Sequence, residues 1–379
     1  MERWIDVRQL AAVAAMFLIA QFAGLLLVYT SLPPQSLSGF ASQTAQQGQA
    51  SVGTLTYVII LAIEIVVIAA ILFLVVRSYK GRNFFSIMEA YIILLGGFFF
   101  FLILIGDLFP YINNTLLLVV SVVFALSLYL SKRLKRLNFQ GFRNIITLIS
   151  SIGLGTFIGI NLGVQFGVIA LYAVLGLFAV YDYLAVFVVK FMIPMAKQAA
   201  NMNLAFMIGS SEMELHPAKR LSEKAYAEKE LKSIKDPKLR GMVKGGSIPM
   251  VSNIMLGNGD LMLPLLVATG AYSYTANMSL AITIIIGATA GLILTFSIIR
   301  KYKIGLPAIP PIFAMISVAM ALFYISIGMY APVLIFALAA ALSLLAMYIG
   351  VKKAASEVST SAAGSSSKRV VSSKLKHNA

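Results

Sequence analysis

The sequence predicts an all-α polytopic membrane protein, a bundle of ten membrane-crossing helices, and three observations carry that prediction. Of 379 residues, 60% are hydrophobic and only 12% are charged, a balance outside the range of water-soluble domains. Apolar runs of about 20 residues, the length that crosses a hydrocarbon core, recur along the chain. Lysine and arginine collect in every second connection between those runs, which is the asymmetry of a multi-pass protein.

The qualifying runs are Leu10–Thr30, Thr54–Val76, Ser86–Phe109, Ile112–Leu130 and Asn144–Ile160, followed by Phe166–Val189, Pro249–Thr269, Ala276–Ile299, Pro307–Ile327 and Ala331–Gly350. The first is longer than a signal-peptide core and lacks a small-residue cleavage site, so it reads as a retained span. Basic residues stand at the N-terminus (Arg3, Arg8), after the second run (Arg77, Lys80, Arg82), after the fourth (Lys132, Arg133, Lys135, Arg136, Arg143) and after the eighth (Arg300, Lys301, Lys303). More follow the sixth run and fill the C-terminal tail, while connections after odd-numbered runs have none. The N-terminus, the even connections and the tail are therefore expected in the cytoplasm. Nine crossings would put the basic tail outside, so the alternation favours ten.

This divides the chain into residues 1–193, an N-terminal six-span unit; 194–247, a cytoplasmic hydrophilic loop; 248–350, the remaining spans; and 351–379, a Ser-rich basic tail expected to be disordered. Within the loop, Ser222–Lys235 mixes both charge signs at helical spacing and reads as a solvated helix. The net charge of +16 is accounted for by topology and by attraction to anionic lipid, so no nucleic-acid partner is expected. With no cysteine and only His216 and His377, neither a thiolate site nor a multi-histidine metal centre can be built. No metal and no cofactor is expected.

A carboxylate at the centre of a membrane helix costs about 2.5–3.5 kcal/mol or more, so each one needs a reason. Five acids fall in or near the runs: Glu64, Glu89, Asp107, Asp182 and Asp260. Glu89 and Asp107 lie near run ends, from which they are expected to snorkel to the headgroups. Glu64 is deeper, and a hydrogen bond within the bundle in its protonated form is the default reading.

Asp182 lies about two helical turns before Lys190 in the sixth run, and Asp260 two to three turns into the seventh. These antiparallel runs would bring both acids to the cytoplasmic half of the bilayer at similar depth. Two carboxyls so placed share one proton, because both cannot ionise in a low dielectric. The ionised partner can then take a proton from an attacking water while the protonated one polarises a peptide carbonyl. Spacing alone favours an ion-coupled transporter using these acids over a hydrolase, with a cation channel a third and weaker reading.

The flanking residues discriminate. Asp182 follows Tyr181, and Asp260 closes Gly257-Asn258-Gly259-Asp260, whose glycines ease an irregular helix start and close approach by another chain. Before the ninth run stands Gly305-Leu306-Pro307-Ala308-Ile309-Pro310-Pro311, three of whose residues lack a backbone donor. Irregular backbone at membrane depth belongs where protein covers it or water reaches it.

Tyr-Asp, Gly-x-Gly-Asp and Pro-Ala-Ile together resemble the motifs of the presenilin and signal-peptide-peptidase family of intramembrane aspartyl proteases, and most closely a presenilin homologue of the archaeal kind. The resemblance implies a nine-span presenilin-like bundle, to which this chain adds a tenth C-terminal span. It implies that Asp182 and Asp260 are catalytic, and that Pro307, Ala308 and Ile309 form a substrate-contacting turn, with Ile309 in place of the usual leucine. It further implies transmembrane-helix substrates, activity without accessory subunits and, with the N-terminus inside, substrates whose own N-terminus lies outside.

Overall fold

The computed structural model describes residues 7–31, 82–133, 140–189, 207–217, 247–302 and 306–377. The expected second span with Glu64, and the expected helix at Ser222–Lys235, lie outside the described residues. The helices are α1 (Val7–Ser31), α2 (Arg82–Leu108), α3 (Asn114–Arg133) and α4 (Gln140–Tyr183), the last followed by a π-helical turn at Leu184–Val188. Two strands come next, β1 (Met207–Pro217) and β2 (Ser247–Gly257). The chain ends with α5 (Asn258–Thr275), α6 (Met278–Tyr302), α7 (Ile309–Ser326) and α8 (Tyr330–His377).

Among the described residues, seven helical stretches are long and apolar enough to cross a membrane: α1, α2, α3, α4 with its π turn, α6, α7 and residues 330–354 of α8. The protein is an integral membrane protein. Helix α4 covers both the fifth and the sixth expected spans and reverses at Gly167, where φ is 73° and ψ 179°. Only glycine adopts that conformation without strain, and a Cβ there would also press on the ring of Tyr274. The reversal is visible in the neighbours. Gly159 meets Leu266 and Thr269, Gly163 meets Gly270 and Gly167 meets Tyr274, so the first half of α4 climbs alongside α5. Leu171 then touches Gly270 again and the chain descends toward Asp260.

Glycines every fourth residue from Gly155 to Gly167 make this close climb possible. A Cβ at Gly159 or Gly163 would collide with the backbone of α5. Small residues at such spacing let membrane helices approach until their backbones touch, where dispersion contacts replace the missing hydrophobic drive. Helix α5 is the most enclosed of the set, with Leu261, Leu265, Ala268 and Ala271 fully buried. Surrounded by helices rather than lipid, it can carry the polar residues Asn258, Asp260, Thr269 and Ser273.

Two expectations are corrected here. The seventh span is expected to be helical from Pro249, but residues 247–257 are a strand paired antiparallel with β1, Ile208 facing Leu256 and Met207 facing Gly257. Alternation of apolar and polar residues over Glu212–His216, with β-branched residues in Ile248, Val251 and Ile254, favours the extended form. Strand β1 therefore lies inside the segment read as a hydrophilic loop. Residues 351–377, read as a disordered tail, continue α8 as helix to His377; the good helix formers Lys352, Lys353 and Ala354 carry it past the apolar span.

Glu89 also departs from its expected role. It is buried at 4% exposure and paired with Lys132 of α3, with Arg143 of α4 within electrostatic reach. A carboxylate and an ammonium that close the ends of adjacent helices satisfy each other, so neither has to seek the headgroups. Removing one member of a buried pair leaves the other charge uncompensated. Lys132→Met is expected to cost about 3 kcal/mol of stability, the low end of the usual range because Arg143 remains. Thermal unfolding in detergent would register the loss, and Glu89→Gln in the same chain should recover most of it. Asp107 is half-buried in the last turn of α2.

Candidate active site

The strand pair delivers the chain to Asp260. Strand β2 ends at Gly257 (φ −69°, ψ 153°) and α5 begins at the next residue. Asp260 therefore sits in the first turn of its helix, not two to three turns into it. There its Oδ2 accepts a hydrogen bond from the Gly257 amide at 3.2 Å, one half of a capping box. A Cβ on Gly257 would stand 3.3 Å from that same oxygen, so glycine keeps the carboxylate uncrowded. A Cβ on Gly259 would meet nothing within 4 Å, which leaves open space beside Asp260. Pro264, one turn on, has no N–H to give the Asp260 carbonyl, and Gln21 of α1 donates to the neighbouring Leu261 carbonyl at 2.9 Å.

Asp182 lies one residue before the end of α4, buried at 9% exposure, with Tyr181 half-buried beside it. The amide of Ile309 donates to its Oδ2 at 3.2 Å, and the Ala308 backbone lies within its electrostatic reach. The prolines explain why this bond is so well defined. Helix α7 starts at Ile309, and a helix start leaves its first amides without partners. Pro310 and Pro311 have no amides, and the Ile312 amide turns back to the Ala308 carbonyl. The Ile309 amide is left without a helical partner and is aimed at Asp182, where the positive end of the helix dipole also favours a carboxylate.

The two aspartates lie within electrostatic reach of one another. The structure thus brings Asp182, Asp260, Gly257, Gly259 and the turn at Ala308 and Ile309 to one locality, with Pro307 buried at its start. Among the described residues no group of three or more metal-binding side chains is present.

Several positioning residues escape the sequence reading. Asn144 of α4 makes two bonds to Gly209 of β1, donating to its carbonyl at 2.9 Å and accepting from its amide at 3.1 Å. Ser151 hydrogen-bonds Asn258, the residue between the two glycines. Together with Gln21 these fasten the strand-to-helix junction to α1 and α4. The available signal was a polar side chain within an apolar run, each of which must find a partner inside the bundle.

No curated protein matches the chain. A solved structure described as a presenilin family intramembrane aspartate protease is similar over 83% of this chain and 96% of its own, at 16% identity and a TM-score of 0.47. The family described as signal-peptide peptidase, presenilin aspartyl protease matches residues 14–327, most of the sequence. The chain belongs to the signal-peptide peptidase and presenilin family of aspartyl proteases.

Proposed function

We propose that this protein hydrolyses peptide bonds within the transmembrane helices of other membrane proteins, with Asp182 and Asp260 as the catalytic pair. The observation that carries the reading is the hydrogen bond from the Ile309 amide to Asp182, with Asp260 in electrostatic reach of the same carboxylate. A dyad sharing one proton supplies both halves of the chemistry. The carboxylate takes a proton from a water held between the two side chains as that water attacks the scissile carbonyl. The carboxylic acid hydrogen-bonds the carbonyl oxygen and then helps protonate the leaving amine. Neither step calls for a metal or an organic cofactor.

A helical peptide bond is shielded by its own helix, so the substrate has to unwind before attack. Among the described residues, each strand of the β1–β2 pair has only one partnered edge. An extended substrate segment can add its backbone bonds at such an edge, or along the turn at Pro307–Ile309. The open side at Gly259 leaves room for it beside Asp260.

The charge distribution supports a cytoplasmic N-terminus and, with it, substrates whose N-terminus lies outside. Purified protein alone, reconstituted into vesicles with transmembrane peptides in both orientations, should cleave those with an external N-terminus. Preference for the opposite orientation would refute the orientation, and absence of any product would refute the protease.

A further inference from the structure

Helix α8 follows the segment that matches the family, which ends at residue 327. Its buried positions Phe336, Ala340, Met347 and Val351 recur at helical spacing, while Leu334, Leu338, Leu342 and Leu345 are exposed. One stripe of α8 therefore packs on protein, and the rest presents the apolar surface of a lipid-facing helix.

Three contacts along that stripe meet parts of the candidate site or their supports. At one end Phe336 stacks on Tyr324 of α7 (centroids 5.5 Å apart) and stands edge-on to Tyr172 of α4 (4.7 Å). In the middle, the Ser343 hydroxyl donates to the carbonyl of Pro310 at 2.9 Å. Further along, Gly350 lies against the ring of Phe187, in a cluster with Val186, Met347 and Val351 that Leu306 also joins.

The Ser343 bond is unusual for its kind. Serine and threonine in apolar helices commonly return their proton to a carbonyl three or four residues back. Ser317 bonds Phe313 in this way, Ser326 bonds Phe323 and Thr295 bonds Gly291. Ser343 instead reaches another helix, at the residue that follows Ile309. Phe187, five residues past Asp182, belongs to the π turn that continues the helix carrying the acceptor of that hydrogen bond. One helix thus holds both the donor segment and the acceptor segment of the Ile309–Asp182 contact.

We propose that α8 is a strut of the active site, with Ser343 the positioning residue that fixes the Pro307–Ile309 turn against Asp182. The proposal rests on the protease reading given above. Catalytic groups displaced by about 1 Å can lose about 100-fold in rate, so a strut acts on turnover more than on substrate affinity.

The test uses the full chain in detergent with one transmembrane peptide. Ser343→Ala is expected to lower kcat about tenfold with KM changed less than about twofold, and to spread cleavage over neighbouring bonds as the turn loosens. Ser343→Thr keeps the hydroxyl and should restore both rate and a single product. Leu342→Ala, on the lipid side, should behave as the parent chain. If Ser343→Ala does not yield folded protein, Gly350→Ala, whose methyl would press on Phe187, should show the same fall in kcat. A Ser343→Ala chain with parental kcat and product pattern overturns the proposal, as does an equal loss in Leu342→Ala. Failure of the parent chain to cleave, or cleavage that survives loss of either aspartate, would instead overturn the protease reading.

Discussion

Replacing either aspartate by asparagine, Asp182→Asn or Asp260→Asn, is expected to lower peptide cleavage by roughly 1,000-fold or more. Asparagine keeps the shape and an acceptor oxygen, so the amides of Ile309 and Gly257 retain their partners and the fold survives. What it cannot do is share a proton with the opposite side chain. Because the pair acts as a unit, the double substitution should be little worse than either single one. Mass spectrometry of the peptide products reads all three variants, and thermal unfolding checks that each is intact. Independent, multiplying effects of the two substitutions would argue against a shared-proton dyad.

Ile309→Pro should lower kcat by about 100-fold while leaving the protein folded. Proline is well tolerated at the first position of a helix, where its missing amide has no helical partner to lose. Residues 309 and 310 already precede prolines in helical conformation, so the backbone here accommodates such crowding. The fold loses the packing of the buried Ile309 side chain but no helical hydrogen bond, and thermal unfolding would register that loss separately from turnover. The amide it deletes, however, is the one that donates to Asp182 at 3.2 Å. Ile309→Leu, which keeps the amide, should stay within about threefold of the parent rate. An Ile309→Pro chain that turns over normally would remove the turn from the mechanism.

The membrane class of the protein and most of its helices were legible because length and hydropathy decide them. The runs read for α1, α2, α3, α6 and α7 agree with the observed helices to within a few residues. The Tyr-Asp, Gly-x-Gly-Asp and Pro-Ala-Ile motifs were also legible, since each carries an acid costly in hydrocarbon, a backbone peculiarity, or both. Three things were hidden. Residues 249–257 are apolar enough to read as the start of a span, and pairing with β1, a strand distant in sequence, holds them extended. The partnership of Glu89 with Lys132 joins different helices, and no periodicity announces it. Asn144 and Ser343 each look in the sequence like an isolated polar residue, whose partner only the packed bundle reveals.

The glycine ladder has a consequence for motion. With backbones in contact from Gly155 to Gly163, the first half of α4 and α5 can neither slide nor rotate past each other without steric collision. Asp260 therefore travels with that pair as a single stiff body. Any change in the gap between the aspartates has to come from the descending limb beyond Gly167, which carries Asp182 and has a glycine pivot at its top. Spin labels across the ladder should report one sharp distance, and labels spanning the descending limb a distribution that narrows when a substrate analogue binds.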